Sequence, residues 1–167
     1  MRKSTVMALG GVTAALALVI MCMGGIIPLA TYCIPAICCV LLQILMPRLG
    51  SYSWVWYGAV AILGLLLCPD KEAAAVFLFI GYYPIVKAHI QRLPLAFLWK
   101  AVYFNAVILA MYQLLIYVFG MAQIAREFAE LGTLMTVVTL VLGNVCFFML
   151  DRLLTMIASG KFFRRKK

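Results

Sequence analysis

Residues 5–25 read TVMALGGVTAALALVIMCMGG, twenty-one positions without a charge, preceded by Arg2 and Lys3. A hydrocarbon core about 30 Å thick is crossed by ~20 helical residues, so this run is long enough to be a membrane span. A secretory signal also opens on basic residues and an apolar run. Here the run from Val6 to Ile27 exceeds a usual signal core, and no clear A-x-A site closes it, although Pro28-Leu29-Ala30 comes near. The expectation is a retained helix.

Outward from this stretch, breaks at Pro, Gly and charges divide the rest of the chain into five more apolar segments: residues 29–46, 52–68, 72–86, 95–119 and 131–157. The sequence therefore predicts an all-α, polytopic membrane protein with about six transmembrane helices in one domain over 1–167. A basic tail follows over 158–167. Segment 72–86 is short and carries Gly81 and Pro84, so a kinked or partly re-entrant helix is expected there, sheltered by protein. Asp70 is placed to cap it, because a carboxylate accepts the orphan N–H groups of a first helical turn.

Composition agrees. Of 167 residues, 67% are hydrophobic and 11% charged, with a mean hydropathy of +1.12. A soluble domain carries roughly 25% charged residues to cover its surface; this chain has too few. The formal charge of +9 falls singly between apolar runs or in residues 161–167, which suits anionic membrane lipid and not nucleic acid. Placed on alternate sides of six spans, 12 basic residues (Arg2, Lys3, Arg48, Lys87, Arg92, Lys100, Arg152 and the tail) share one side, and Lys71 and Arg126 the other. Asp70, Glu72, Glu127 and Glu130 divide the opposite way from Asp151. Basic residues gather on the cytoplasmic side, so both termini are expected in the cytoplasm of a cell-membrane protein. Tyr52, Trp54, Trp56, Tyr57, Phe97, Trp99, Phe162 and Phe163 read as an aromatic belt at that interface.

The chemistry on offer is sparse. There is no G-x-x-x-x-G-K-[ST], H-E-x-x-H or G-x-S-x-G, and no set of ionisable groups at one depth. No catalytic residue, cofactor or metal site is predicted. The six cysteines (Cys22, Cys33, Cys38, Cys39, Cys68, Cys146) form no C-x-x-C and read as small packing residues. Polar residues inside spans are costly unless paired. Gln43, Asn105, Gln113 and Asn144 qualify, and Asn105 and Gln113, about two turns apart, are expected on one face beside Tyr112 and Tyr117. They read either as a solute pocket or as polar glue between helices. Asp151 is expected to pair with a basic residue of an inner loop, Arg48, Lys87 or Lys100. On the first helix, Gly10 with Ala14 and Gly11 with Ala15 put small residues at four-residue spacing, the pattern that lets helices approach closely in lipid. It serves a docking face or internal packing equally well.

A chain of this size and topology, opening Arg2-Lys3 and then ALGGVTAALA over residues 8–17, resembles the substrate-binding S components of energy-coupling-factor vitamin transporters. That resemblance implies a solute-binding subunit which takes a micronutrient from outside and is energised in trans by a membrane coupling subunit and its ATPases. It implicates Gly10, Gly11, Ala14 and Ala15 in docking. It places a small-molecule pocket in the outer half, at Thr31, Tyr32, Tyr112, Gln113, Tyr117 and Arg126, with Asn144 deeper. No signature names a particular vitamin. The alternative is a non-catalytic scaffold of the cell envelope, like the MreD-type partners of cell-shape machinery. A filled polar core would favour the scaffold, and an outward cavity lined by Tyr112 and Gln113 the carrier.

Overall fold

The structure, a computed structural model, describes residues 3–23, 30–91, 95–117 and 122–159, with the side chains of 30, 88, 115 and 122–135 outside that description. The expected basic tail and its Phe162-Phe163 lie outside the described residues. Among the described residues seven α-helices follow one another: α1 Lys3–Met23, α2 Ala30–Leu49, α3 Ser53–Leu67, α4 Lys71–Ile80, α5 Tyr83–Ile90, α6 Ala96–Tyr117 and α7 Ala122–Ala158. No strand occurs among the described residues.

Four helical stretches are long and apolar enough to cross a membrane: Lys3–Met23, Thr31–Leu67, Ala96–Leu114 and Thr136–Ala158. The second is bent back on itself. Pro47 weakens the last turn of α2, and Gly50, at φ +55°, takes the left-handed conformation that leads through a 3₁₀ turn (Gly50–Tyr52) into α3.

Contacts give the direction of each helix. Gly10 of α1 lies against Leu49 and Ala17 against Cys38, so α1 and α2 are antiparallel. Thr13 meets Trp56 and Met21 meets Gly64, so α1 and α3 are parallel. Thr31 meets Asp70 and Cys39 meets Ile80, so α4 returns alongside α2. Asn105 with Asn144, and Lys100 with Asp151, make α6 and α7 antiparallel. The bundle thus has a near end, where α1 begins, and a far end, where it finishes.

Helix α4 is the centre of the bundle. Ala73, Ala74, Ala75, Val76, Phe77 and Ile80 are all buried between α2, α3 and α6. The expected single segment 72–86 is two helices broken at Gly81-Tyr82. Asp70 caps the first as expected, its Oδ1 accepting the Ala73 N–H at 3.0 Å. Pro84 starts the second, where a missing N–H costs nothing. The break is tolerated because neighbouring helices cover it. At the break, Gly81 donates to the Phe77 carbonyl at 2.7 Å. A Cβ there would collide with that same oxygen and stand 2.9 Å from Phe77 Cε2.

Two expectations are corrected. Segment 131–157 begins earlier: α7 is 37 residues long, about 55 Å at ~1.5 Å per residue, so the stretch of Arg126, Glu127 and Glu130 continues the helix and is not a loop. The aromatic belt is also narrower. Trp54 and Trp99 are exposed, but Trp56 is buried with its indole N–H donating to Thr13 Oγ1 at 3.1 Å, and Tyr57 donates to the Leu78 carbonyl. Both have a polar group that an interior acceptor satisfies, which holds α3 to α1 and α4.

The surface is apolar: Val12, Leu66, Phe97 and Met149 are each about 70% exposed. In water such a surface would aggregate; in lipid it is ordinary solvent contact. Gly81→Ala should lower stability in detergent by about 1–3 kcal/mol, the usual cost of overpacking. Gly11→Ala, with nothing within 4 Å of its added Cβ, should raise it by up to about 1 kcal/mol, alanine being the better helix former. Paired thermal unfolding curves check both.

Candidate functional site

Two polar clusters stand at opposite ends of the bundle. At the near end, Tyr83 and Lys87 are four residues apart on α5, and Asp151 and Thr155 four apart on α7, so each pair shares a face. Lys100 enters from the first turns of α6. Asp151 Oδ1 accepts the Tyr83 hydroxyl at 2.6 Å and the Lys87 ammonium at 2.9 Å; Oδ2 accepts Lys100 at 2.7 Å. Lys87 also donates to the Asp151 carbonyl at 2.5 Å and to Thr155 Oγ1 at 2.8 Å, so all three of its protons are used. Lys87, Lys100 and Asp151 are buried, each under a tenth exposed.

The expected pairing of Asp151 is realised twice over, by Lys87 and Lys100 together. Arg48, the third candidate partner, is exposed. Above this centre Tyr83 packs edge-on to Phe147 at 4.8 Å, and Phe147 stacks on Phe104 at 4.7 Å. The rings close the ion group from the bundle's middle.

At the far end, Thr31 Oγ1 donates to Asp70 Oδ2 at 2.8 Å, and the Tyr32 hydroxyl to Glu72 Oε1 at 2.5 Å. Tyr112 of α6 adds a polar interaction with Tyr32. Asp70 therefore has two tasks, capping α4 with one oxygen and holding α2 with the other. Lys71 reaches back to the Leu65 and Leu66 carbonyls at 2.9 and 3.4 Å, closing the end of α3.

Of the residues expected to bind a solute, Thr31, Tyr32 and Tyr112 are brought together at this far end. Gln113 and Tyr117 are not: both are exposed on the outside of α6. Asn105 and Gln113 do not share a face, because eight residues at ~3.6 per turn end about 80° away from the starting direction. Asn144 lies deeper and is occupied, exchanging side-chain amide bonds with Asn105 at 3.1 and 3.3 Å while each also donates to the carbonyl four residues before it, at 2.8 Å. This pair is glue between α6 and α7. The side chain of Arg126 lies outside the described residues.

The small residues of α1 divide. Gly10 and Ala14 face inward, Gly10 toward Leu49 and Ala14 against the core. Gly11 and Ala15 are exposed on a strip with Ala8, Val12, Leu16 and Val19.

Sequence reasoning read Asp70 and Glu72 as outer-side charges but did not pair Glu72 with Tyr32 or Asp70 with Thr31, and it missed Tyr83 and Thr155 around Asp151. The four-residue spacings within α5 and α7 were the available signal for the last two.

Among the described residues no group of three or more His, Cys, Asp or Glu is arranged to hold a metal ion. Comparison of the chain with protein-family models, with curated proteins and with solved structures finds no match in any of the three.

Asp151→Asn leaves two ammonium groups buried around a neutral amide and should cost about 3–5 kcal/mol, the penalty of breaking a buried pair. Asn144→Leu, removing both amide bonds of the Asn105 pair in lipid, should cost about 1 kcal/mol, at ~0.6 kcal/mol for each. Denaturation in mixed micelles, read by circular dichroism, separates two losses of such different size.

Proposed function

We propose that this chain is a six-crossing membrane subunit with both termini in the cytoplasm, which captures a small solute at its far end and works with an energised partner in trans. For the crossings, α2 and α3 count separately on either side of Gly50, and α4 with α5 make one, 20 residues end to end or ~30 Å. The partition of basic residues supports the orientation. The near end then faces the cytoplasm with Lys87, Lys100 and Arg152, and the far end faces outward with Asp70 and Glu72.

The observation that carries the reading is the convergence of Thr31 and Tyr32 of α2 on the two carboxylates at the start of α4, with Tyr112 of α6 against Tyr32. Hydroxyls and carboxylates in one place at the outer end suit a small polar solute. A partner in trans is supported by the strip through Gly11 and Ala15, whose backbone a second helix can approach closely. The chain carries no P-loop, so ATP hydrolysis belongs to that partner.

The scaffold reading is favoured by a different observation. The interior is filled: Met21, Leu42, Phe77 and Met111 are fully buried, and Asn105, Asn144, Thr31 and Tyr32 satisfy one another or near neighbours. A scaffold would act through its helix faces alone.

Extraction in mild detergent, affinity purification and mass spectrometry of proteins and small molecules separates the two. The carrier reading expects a membrane subunit with an ATPase pair, and a bound small molecule. Gly11→Leu with Ala15→Leu should reduce recovery of the partner at least tenfold; Tyr32→Phe with Glu72→Gln should reduce the small molecule and leave the partner. Recovery of cell-envelope assembly proteins without any small molecule would overturn the carrier and leave the scaffold.

A further inference from the structure

The thiols of Cys22 and Cys68 stand 3.6 Å apart at the far end of the bundle. Cys22 is the penultimate residue of α1, and Cys68 is the first residue after α3. They are 46 positions apart in sequence, and a specific packing feature brings them together. Beside them α1 and α3 pack tightly: a Cβ on Gly64, one turn before Cys68, would sit 3.1 Å from the Cε of Met21, the residue before Cys22. Because the two helices are parallel, the residues that follow Met21 and Gly64 remain side by side. Cys68 is held in place by its own N–H, which donates to the Gly64 carbonyl at 2.9 Å, and it turns the chain into an extended conformation before α4.

The other cysteines are placed differently. Cys38 and Cys39 are buried in α2, with their thiols directed to the carbonyls of Ala17 and Ile80. Cys33 and Cys146 are exposed on the outer surface. Among the described residues, Cys22 and Cys68 make the one sulfur–sulfur contact.

We infer that Cys22 and Cys68 are a modification site, a dithiol that closes to a disulfide tying α1 to the α3–α4 junction when it meets an oxidant of the disulfide class. Cys22 is half-buried and Cys68 buried, which sets the order of events. The Cys22 thiolate attacks the external disulfide; one sulfur of the oxidant joins Cys22 and the other leaves as a thiolate that takes up the Cys22 proton. The Cys68 thiolate then attacks Cys22 Sγ and expels the second sulfur, which takes up the Cys68 proton. Two protein thiols are oxidised, and one external disulfide is reduced to two thiols.

Bond formation draws the sulfurs from 3.6 Å to about 2.05 Å. Rotation of two Cβ–S groups at helix ends accommodates that movement. Burial pushes the Cys68 thiol up to about 12, helped by the Cys22 contact and by Asp70 and opposed by Lys71; Cys38, across on α2, also faces it. Closure draws on the proximity the fold supplies, and a higher pH, which frees thiolate, favours it. The inference stands on geometry alone and does not depend on the function proposed above.

The test uses the full chain in isolated membranes, treated at pH 8.5 with oxidised glutathione or with dithiothreitol, then alkylated with N-ethylmaleimide and mapped by peptide mass spectrometry. The expected result is a Cys22–Cys68 linked peptide lacking two hydrogens, in at least tenfold excess over any other cysteine pair. It should disappear in Cys22→Ser and in Cys22→Ala, and persist in Cys33→Ser. Three outcomes would overturn the inference: a glutathione adduct that stops at Cys22, alkylation of both thiols after oxidant, or a link that maps to Cys38. Cys22 lies at a helix end, so its variants keep the test informative where Cys68→Ser fails to fold.

Discussion

A carboxylate buried beside two ammonium groups organises the near end of this bundle. Asp151 uses both oxygens and its backbone carbonyl to hold α5, α6 and α7 at one point. Among the described residues these are the ion pairs that join the three helices. In lipid, apolar side chains gain little by leaving the solvent for the interior, so helix association relies on close packing and on polar contacts. A charge placed there must be met within the protein. The requirement explains why short α5 exists: it carries Tyr83 and Lys87 to Asp151 on one face, over a length too small to be stable alone.

The same constraint makes α4 central. It is ten residues long, too short to span, and buried on nearly every side. Its ends are fixed by unlike means. Asp70 caps its start and ties it to Thr31, whereas its finish at Gly81 depends on the absence of a side chain beside Phe77. Alanines 73, 74 and 75 allow α2, α3 and α6 to come close around it.

Much of this was legible in the sequence, and the limits have physical causes. Apolar runs of near-bilayer length gave the helices, since length and hydropathy decide membrane helices before packing does. Asp70 as a cap and Asp151 as an ion partner were legible because each has few satisfactory alternatives. The bounds of α7 were not: a polar stretch with Arg126, Glu127 and Glu130 reads as a loop, although such residues are good helix formers once a helix leaves the membrane. Facing directions were harder still. Asn105 pairs with Asn144 while Gln113 faces out, because eight residues is not a whole number of turns. Trp56 and Tyr57 resembled interface anchors, and only the acceptors at Thr13 and Leu78 draw them inward.

The two faces of α1 bear on how the bundle can work. Gly10 and Ala14 are used up against α2 and the core, while Gly11 and Ala15, one position on, are exposed, with open space where a Cβ on Gly11 would stand. Two small pairs displaced by one residue point about 100° apart on a helix, so one pattern serves two neighbours without conflict. Among the described residues helix α1 makes no ion pair; it is held by packing and by the Trp56, Cys38 and Cys68 contacts. Helices α5, α6 and α7 are pinned by ions. A bundle joined firmly on one side and by weak contacts on the other yields first at the weak side, and that side carries the exposed strip. A partner docking as proposed on Gly11 and Ala15 would act on a helix that no ion pair among the described residues ties down.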